Sequence, residues 1–166
     1  MQAYISISFS KRKELEKEVQ AIKNALQKCG ISGFVFVDEY QFSAKQEKKM
    51  MQNAIEDIEK SAILIAETSE KGIGIGIEVG YAKAKNIPVI YMRNSKSEHS
   101  TTVSGIADFS IIYSDEKDLE EKLEEILKNN FSKTWNLKLE TWNKIMTELQ
   151  SIKNRFGIIG NFPALN

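Results

Sequence analysis

The chain carries the stretch Gly72-Ile73-Gly74-Ile75-Gly76-Ile77-Glu78 between an apolar run, Ala62–Ala66, and an amphipathic segment. The apolar run predicts a buried strand, and the segment that follows predicts a helix over roughly 76–86. Alternate glycines suit a backbone that takes positive φ and comes close to a ligand. We therefore expect Glu78 in the first helical turn, where the helix dipole favours an ionised carboxylate.

Short apolar runs alternate with amphipathic segments along the chain, and this pattern is typical of a parallel sheet with helices on both faces. The predicted strands are Tyr4–Phe9, Gly33–Val37, Ala62–Ala66, Val89–Met92 and Phe109–Tyr113. The predicted helices are 11–29, ended by a left-handed Gly30, then 45–60, 76–86 and a last one capped by Ser114 or Asp115. The fold class is therefore α/β, a five-stranded parallel sheet in a Rossmann-like or flavodoxin-like three-layer sandwich with an added C-terminal helix.

Beyond Phe131 the pattern changes to a single helix with a wide apolar stripe. Residues 1–130 are predicted to form the α/β domain, and residues 131–166 a helical extension with a docking tail. The stripe suits packing on its own domain and a subunit interface equally well. It comprises Trp135, Leu139, Trp142, Met146 and Leu149.

Composition narrows the classes of partner. The 166-residue chain has 23 basic and 23 acidic side chains, so no net field favours nucleic acid or an anionic membrane, and a small molecule is expected instead. The single Cys29 and single His99 predict neither a disulfide framework nor a metal site, and no cofactor is expected. The N-terminus alternates like a strand, and no apolar run reaches about 18 residues, so the expected location is the cytoplasm.

Three loops follow predicted strands at the edge where parallel sheets bind ligands. The first, Ser8-Phe9-Ser10-Lys11-Arg12, offers hydroxyls and two cations to an anion such as phosphate, although Ser10 is equally well placed to cap a helix. The second, Asp38–Phe42, suits a base or a ribose, or is an ordinary solvated loop. The third, Arg93–Ser104, is a long hydroxyl-rich stretch and a candidate binding loop.

Two common nucleotide-binding motifs do not fit. A dinucleotide fingerprint follows the first strand, whereas this glycine run follows the third and ends in Glu78. No Gly-Lys-Ser/Thr occurs, so there is no P-loop. Kinase and dehydrogenase chemistry are disfavoured. A fixed, ionised carboxylate at a strand-to-helix crevice suits nucleophilic attack on a sugar carbon instead.

The segments Ala62–Ser69 and Gly74-Ile75-Gly76-Ile77-Glu78-Val79-Gly80-Tyr81-Ala82 resemble the nucleoside 2-deoxyribosyltransferase superfamily. Within it they are most similar to the 2'-deoxynucleoside 5'-phosphate N-hydrolase branch. The resemblance spans about 4–126. It implies a nucleoside or nucleotide substrate and a homodimer, or a higher homo-oligomer, with composite active sites.

The resemblance also implies roles for individual residues. Glu78 would be the nucleophile that attacks the anomeric carbon and forms a glycosyl-enzyme, and Tyr4 would orient it. Ser100 would reach the substrate phosphate from the neighbouring subunit. The other implied substrate-binding residues are Ser8, Ser10, Lys11, Arg12, Gly72, Gly74 and Gly76.

One departure from the family pattern bears on the reaction. Relatives often carry an aspartate near the leaving base in the second helix, where this chain has Ala54. Four other acids lie in loops that could approach the base and could protonate it instead: Glu67, Glu70, Asp57 and Asp38. We expect hydrolysis or transfer at an N-glycosidic bond; the alternatives are a noncatalytic nucleotide-binding or sensing module, and an NAD glycohydrolase.

Overall fold

A computed structural model describes residues 1–43, 45–132, 144, 145, 147, 148 and 151. Contacts divide the chain into two compact units, Met1–Leu127 and Lys128–Asn166. The second unit begins with a π-helical turn, Lys128–Ser132. The five residues of the predicted C-terminal apolar stripe, and the predicted docking tail, lie outside the described residues.

The first unit is built on a five-stranded sheet in which all pairings are parallel, as the sequence predicts, and the strand order is β2-β1-β3-β4-β5. The strands are β1 (Gln2–Ser6), β2 (Ser32–Val35), β3 (Ile63–Glu67), β4 (Val89–Asn94) and β5 (Phe109–Tyr113). The chain passes from β1 outward to β2 and then returns to the other side of β1. The strand order therefore switches between β1 and β3, which is where ligands bind in such sheets.

Six helices cover the two faces of this sheet. They are α1 (Glu16–Lys28), α2 (Phe36–Glu39), α3 (Glu47–Glu59), α4 (Ile73–Ala84), α5 (Thr101–Ile106) and α6 (Glu116–Leu127). One face packs against α1 and α6, which contact each other, and the opposite face packs against α3, α4 and α5. All five residues of β3 are buried, as expected of a parallel strand covered on both sides.

The helix ends follow local chemistry. Gly30 has φ +70° and ends α1 in a Schellman motif, in which Ile31 N donates to Leu26 O at 2.9 Å. Asn86, with φ 58°, plays the same part at the end of α4. Asp115 caps α6, because its Oδ1 accepts from Asp118 N at 2.9 Å.

Several predicted boundaries are wrong. The largest error concerns α4, which begins at Ile73 instead of Gly76 and so takes in the glycine run. Gly72 is the extended N-cap with φ −145°, and neither Gly74 nor Gly76 has positive φ. Burial of Ile75, Val79 and Ala82 at helical spacing outweighs the low helix propensity of the glycines.

Other element boundaries also differ from the prediction. β1 ends at Ser6, three residues early, and a 3-10 turn, Phe9–Lys11, precedes α1, which starts only at Glu16. β2 gives way to the short α2 at Phe36. Part of the predicted loop after β4 is helical, since α5 starts at Thr101 and buries Val103. No helix among the described residues is long and apolar enough to cross a membrane.

Candidate active site

Glu78 lies at the switch between β1 and β3, held by two hydroxyls from β1. Tyr4 donates its hydroxyl to Glu78 Oε1 at 2.8 Å, and Ser6 Oγ donates to Oε2. Tyr4 and Ser6 are two residues apart on a strand, so both side chains point to the face covered by α3 and α4. Each carboxylate oxygen therefore has its own donor.

The position of Glu78 changes the electrostatic expectation. Glu78 is the sixth residue of α4, beyond the first turn in which the dipole acts, so the expected dipole stabilisation does not apply. Burial raises the pKa of Glu78, and the hydrogen bonds from Ser6 and Tyr4 lower it in part. Burial and the neighbouring Glu78 raise the pKa of Tyr4, so its hydroxyl remains a donor. The two hydroxyls, and not the helix dipole, favour ionised Glu78.

Glu78 borders a cavity of about 860 Å³. On the side next to Glu78 the cavity is lined by Ser8, Ser10, Gly72 and Gly74, all of them residues expected to bind substrate. The opposite side is formed by the loop after β2 and by one face of α3.

Aromatic rings form much of that opposite side. Phe36, Tyr40 and Phe42 line the cavity and pack on one another, with ring centroids 5.0 Å apart for Phe36 and Tyr40 and 5.5 Å apart for Tyr40 and Phe42. Tyr40 donates its hydroxyl to Asp57 Oδ2 at 2.8 Å, and Lys60 Nζ donates to Oδ1 at 3.1 Å. These bonds hold the Tyr40 ring in the wall, which suits the flat face of a base.

The structure separates the residues of the expected phosphate loop. Ser8 and Ser10 line the cavity with their Oγ atoms 3.2 Å apart. Lys11 does not border it and pairs with Glu14 at 3.0 Å. Arg12 does not border it either: its Nε and Nη2 donate to Asp38 at 2.6 and 2.8 Å, and its Nη1 to Glu16 at 2.5 Å. The two cations are therefore directed at carboxylates of their own chain.

Ser100 and Gly76 lie in a second cavity of about 350 Å³. Thr68 and Thr102 also line it, and Lys71, Gly72, Ile73 and Ile75 border both cavities. Ser100 is the N-cap residue of α5, at the end of the loop after β4. Within one chain Ser100 is therefore not brought into the cavity that holds Ser8 and Ser10.

None of the four acids considered for the leaving base borders the larger cavity. Glu67, at the end of β3, points to the face covered by α1 and α6 and is fully buried. Its Oε1 accepts from Tyr113 at 2.9 Å and from Ser69 N at 3.1 Å, whereas Oε2 has no partner among the described residues. Asp38 accepts hydrogen bonds from Arg12, and Asp57 accepts hydrogen bonds from Tyr40 and Lys60.

Sequence reasoning missed two residues of the site. One is Ser6. The only sequence signal for it is that Ser6 lies two residues after Tyr4 on the same strand, so the two side chains face the same side of the sheet. The other is Glu47, which borders the cavity together with Met50, Met51 and Ala54 on one face of α3. The spacing of these four residues, i, i+3, i+4 and i+7, was a usable signal. In the described part of the chain, no group of three or more His, Cys, Asp or Glu side chains could hold a metal ion.

Comparison with known proteins gives one family. The model of the family described as nucleoside 2-deoxyribosyltransferase matches residues 4–146. A putative 2'-deoxynucleoside 5'-phosphate N-hydrolase of Syntrophotalea carbinolica is 40% identical over 50 residues, which are 29% of this chain and only 35% of that relative. An uncharacterized protein of Methanocaldococcus jannaschii is 33% identical over 89 residues, covering 53% of this chain and 79% of that protein.

Two solved structures share the fold. The 2-deoxyribosyltransferase of Bacillus psychrosaccharolyticus has a TM-score of 0.57 at 17% identity, over 74% of this chain and 96% of that one. The CMP N-glycosidase of Clostridium botulinum has a TM-score of 0.54 at 20% identity, over 75% of this chain and 98% of that one.

The buried Glu67 makes a prediction about stability. Burial raises its pKa, with opposing hydrogen bonds from Ser69 and Tyr113. A carboxyl whose folded pKa lies above its unfolded value stabilises the fold fully below the unfolded pKa, and this stability is lost as pH rises through the folded pKa. Because Glu67→Gln cannot ionise, we expect its unfolding free energy to rise relative to that of wild type across this window.

Urea unfolding at a series of pH values measures this difference. The control is Glu56→Gln, which removes an exposed carboxylate of α3. A difference between wild type and Glu67→Gln that does not change with pH would contradict the prediction.

Proposed function

The chain belongs to the nucleoside 2-deoxyribosyltransferase family, and from that membership we propose that it cleaves or transfers the N-glycosidic bond of a nucleoside or nucleoside 5'-monophosphate. The observation that carries this proposal is Glu78, a carboxylate held by Tyr4 and Ser6 at the edge of a cavity large enough for a nucleotide. The name of the Syntrophotalea relative is consistent with the same chemistry.

In the proposed reaction Glu78 is the nucleophile. One of its carboxylate oxygens bonds to the anomeric carbon as the bond from that carbon to the base nitrogen breaks, and the electron pair of the broken bond leaves with the base. Tyr4 and Ser6 keep the carboxylate aimed at the sugar. Water then attacks the same carbon, loses a proton to solvent and releases Glu78 as a carboxylate. Alternatively, the ring nitrogen of an acceptor base attacks in place of water, also loses its proton to solvent, and a new nucleoside forms.

Ser8 and Ser10 are proposed to bind the 5' end of the substrate. Their hydroxyls border the cavity on the same side as Glu78, whereas Lys11 and Arg12 are paired with carboxylates away from it. Gly72 and Gly74 border this side without side chains of their own. This arrangement leaves the sugar next to Glu78 and the base against the aromatic wall.

A noncatalytic nucleotide-binding module is the second candidate, and one observation favours it. Ala54 borders the cavity. The family resemblance implies that an aspartate often stands at this position near the leaving base, and an alanine cannot donate a proton. In the catalytic proposal a solvent water protonates the base. In the noncatalytic alternative the N-glycosidic bond of the bound nucleotide is not cleaved.

The first prediction from the proposed function concerns Glu78 itself. Wild-type protein should release free base from at least one member of a panel of nucleosides, their 5'-monophosphates and NAD, with or without an acceptor base. Glu78→Gln should reduce this release by about a thousandfold or more, because the nucleophile is lost. Liquid chromatography measures the free base, and intact mass spectrometry with a 2'-fluoro analogue should find the sugar attached to wild type alone.

Glu56→Gln, outside the cavity, is the control and should behave as wild type. Nucleotide binding without base release from any member of the panel would reject catalysis and support the noncatalytic module. Base release that persists in Glu78→Gln would remove Glu78 from its proposed role.

The second prediction concerns Ser6 and pH. The hydrogen bond from Ser6 lowers the pKa of Glu78, so Ser6→Ala should raise that pKa further. Since the nucleophile must be ionised, the acid limb of the profile of kcat/KM against pH should move to higher pH. Ser110→Ala, which changes an exposed serine of β5, is the control. An acid limb that stays in place would separate Ser6 from the ionisation of Glu78.

We further propose a homodimer built on the exposed face of α4. Ile73 and Ile77 are 88% and 52% exposed and share this face with Gly76, Gly80 and Ala84, all exposed. Small residues beside the two isoleucines allow another helix to approach closely, and such an uncovered apolar face is unusual on a monomer. Because Ile73 and Gly76 also border the cavities, a second copy on this face would extend the site, which supports a composite arrangement involving Ser100.

The third prediction tests this interface. Ile77→Glu should convert the dimer to a monomer, because a charge would be buried between the copies. The matched control is Ile112→Glu, since Ile112 is 48% exposed on β5. Light scattering coupled to size-exclusion chromatography gives the mass. A wild-type monomer, or a dimer that withstands Ile77→Glu, would contradict the proposed interface.

A further inference from the structure

We propose that Glu47 selects the base of the substrate, favouring cytosine or adenine, which carry an amino group where uracil and hypoxanthine carry a carbonyl oxygen. This inference rests on the proposed function, because it takes the cavity next to Glu78 to be a nucleoside site. It adds the specificity of that site, which neither the family nor the position of Glu78 determines.

The cavity has a sugar end and a base end. If Glu78 attacks the anomeric carbon, the sugar lies beside Glu78, and the base occupies the space away from it. That space is lined by Phe36, Tyr40 and Phe42 on one side and by the methionines of α3 on the other. Apolar and aromatic side chains contact the faces of a flat base but do not distinguish one base from another.

The face of α3 leads from the inside of the cavity to its rim. Ala54 is 1% exposed and packs in the same buried cluster as Tyr4. Met50, one turn earlier, is half-buried, and Glu47, a further turn earlier, is exposed. A base that lies along this face therefore extends from the neighbourhood of Ala54 toward Glu47, so the edge of the base far from the sugar approaches the Glu47 carboxylate.

The other polar groups of the base end are mostly occupied. The Tyr40 hydroxyl donates to Asp57, and the Ser43 hydroxyl and amide both donate to Gln46 Oε1. The Glu47 carboxylate makes no hydrogen bond and no ion pair with any described residue, and the same holds for the side-chain amide of Gln41, which can donate as well as accept. Glu47 is thus the one carboxylate available to read the base edge among the described residues that border this end.

A carboxylate only accepts hydrogen bonds, and this property gives the direction of the selectivity. Cytosine and adenine present an exocyclic amino group, a donor that Glu47 can accept from. Uracil and hypoxanthine present a carbonyl oxygen at the corresponding position, which would face the carboxylate without a proton between them. Their donor on this edge is the adjacent ring N–H, so the selectivity requires Glu47 to face the exocyclic group and not the ring nitrogen. Binding removes water from both groups, so the mismatch is not compensated.

The test measures binding without turnover. Calorimetry with the Glu78→Gln protein gives Kd for two matched pairs: the deoxynucleoside 5'-monophosphates of cytosine and uracil, and those of adenine and hypoxanthine. Within each pair the amino group is replaced by a carbonyl oxygen, and the adjacent ring nitrogen changes from an acceptor to a donor. The amino member of at least one pair should bind about tenfold more tightly. Adding Glu47→Gln should bring that ratio close to one, because an amide both donates and accepts.

Adding Glu56→Gln in place of Glu47→Gln should leave the ratio unchanged, because Glu56 lies on the same helix and does not border the cavity. Equal binding within both pairs, a ratio that survives Glu47→Gln, or no binding of any of the four would overturn the role of Glu47. Base release by wild-type protein is measured separately on the same four compounds. Its absence would reject the proposed catalysis while the binding ratio still decides the role of Glu47.

Discussion

Attachment of Glu78 to two hydroxyls of β1 is the interaction on which the rest of the site depends. The donors and the acceptor are 74 and 72 residues apart in the chain, so they meet only when α4 packs on the sheet between β1 and β3. A carboxylate without donors at this depth would hold its proton and would not act as a nucleophile. The same contacts therefore fix the geometry of α4 and favour the ionised state of Glu78.

Strand alternation decides which carboxylate belongs to the site. Glu67 is the last residue of β3, and Glu78 lies in α4, the next helix along the chain. Burial raises the pKa of both carboxyl groups. Glu67 ends β3 on the side of Ile63 and Ile65, so it faces α1 and α6. A shift of one residue along the strand would have turned it into the cavity. Its hydroxyl partners, Tyr113 and Ser69, hold it away from the cavity, so the ionisation of Glu67 affects the stability of the fold.

The distribution of charge around the larger cavity follows from pairing within the chain. Arg12 joins the loop after β1 to the loop after β2 through Asp38, and both loops border the cavity. A bidentate contact of this kind aligns two loops more than it attracts a ligand. The cavity is lined mainly by hydroxyls, rings, methionines and isoleucines, with Glu78 at one end and Glu47 at the rim of the other. Lys71 is the cation that borders it in the described part of the chain, and Lys71 pairs with Glu98.

The sequence by itself determined the α/β class, the five parallel strands, the left-handed cap at Gly30 and Glu78 as the candidate nucleophile, because hydrophobic period, glycine at a helix end and a family motif are local signals. Tertiary structure decided the rest. The glycine run became helix because Ile75 and Val79 are buried against the sheet, and propensity alone would not have placed them there. The tertiary structure also pairs Arg12 with Asp38, bonds Ser6 to Glu78 and places Glu47 at the cavity. Each of these depends on which distant elements become neighbours, and that is set by strand order and side-chain packing, which spacing along the chain does not encode.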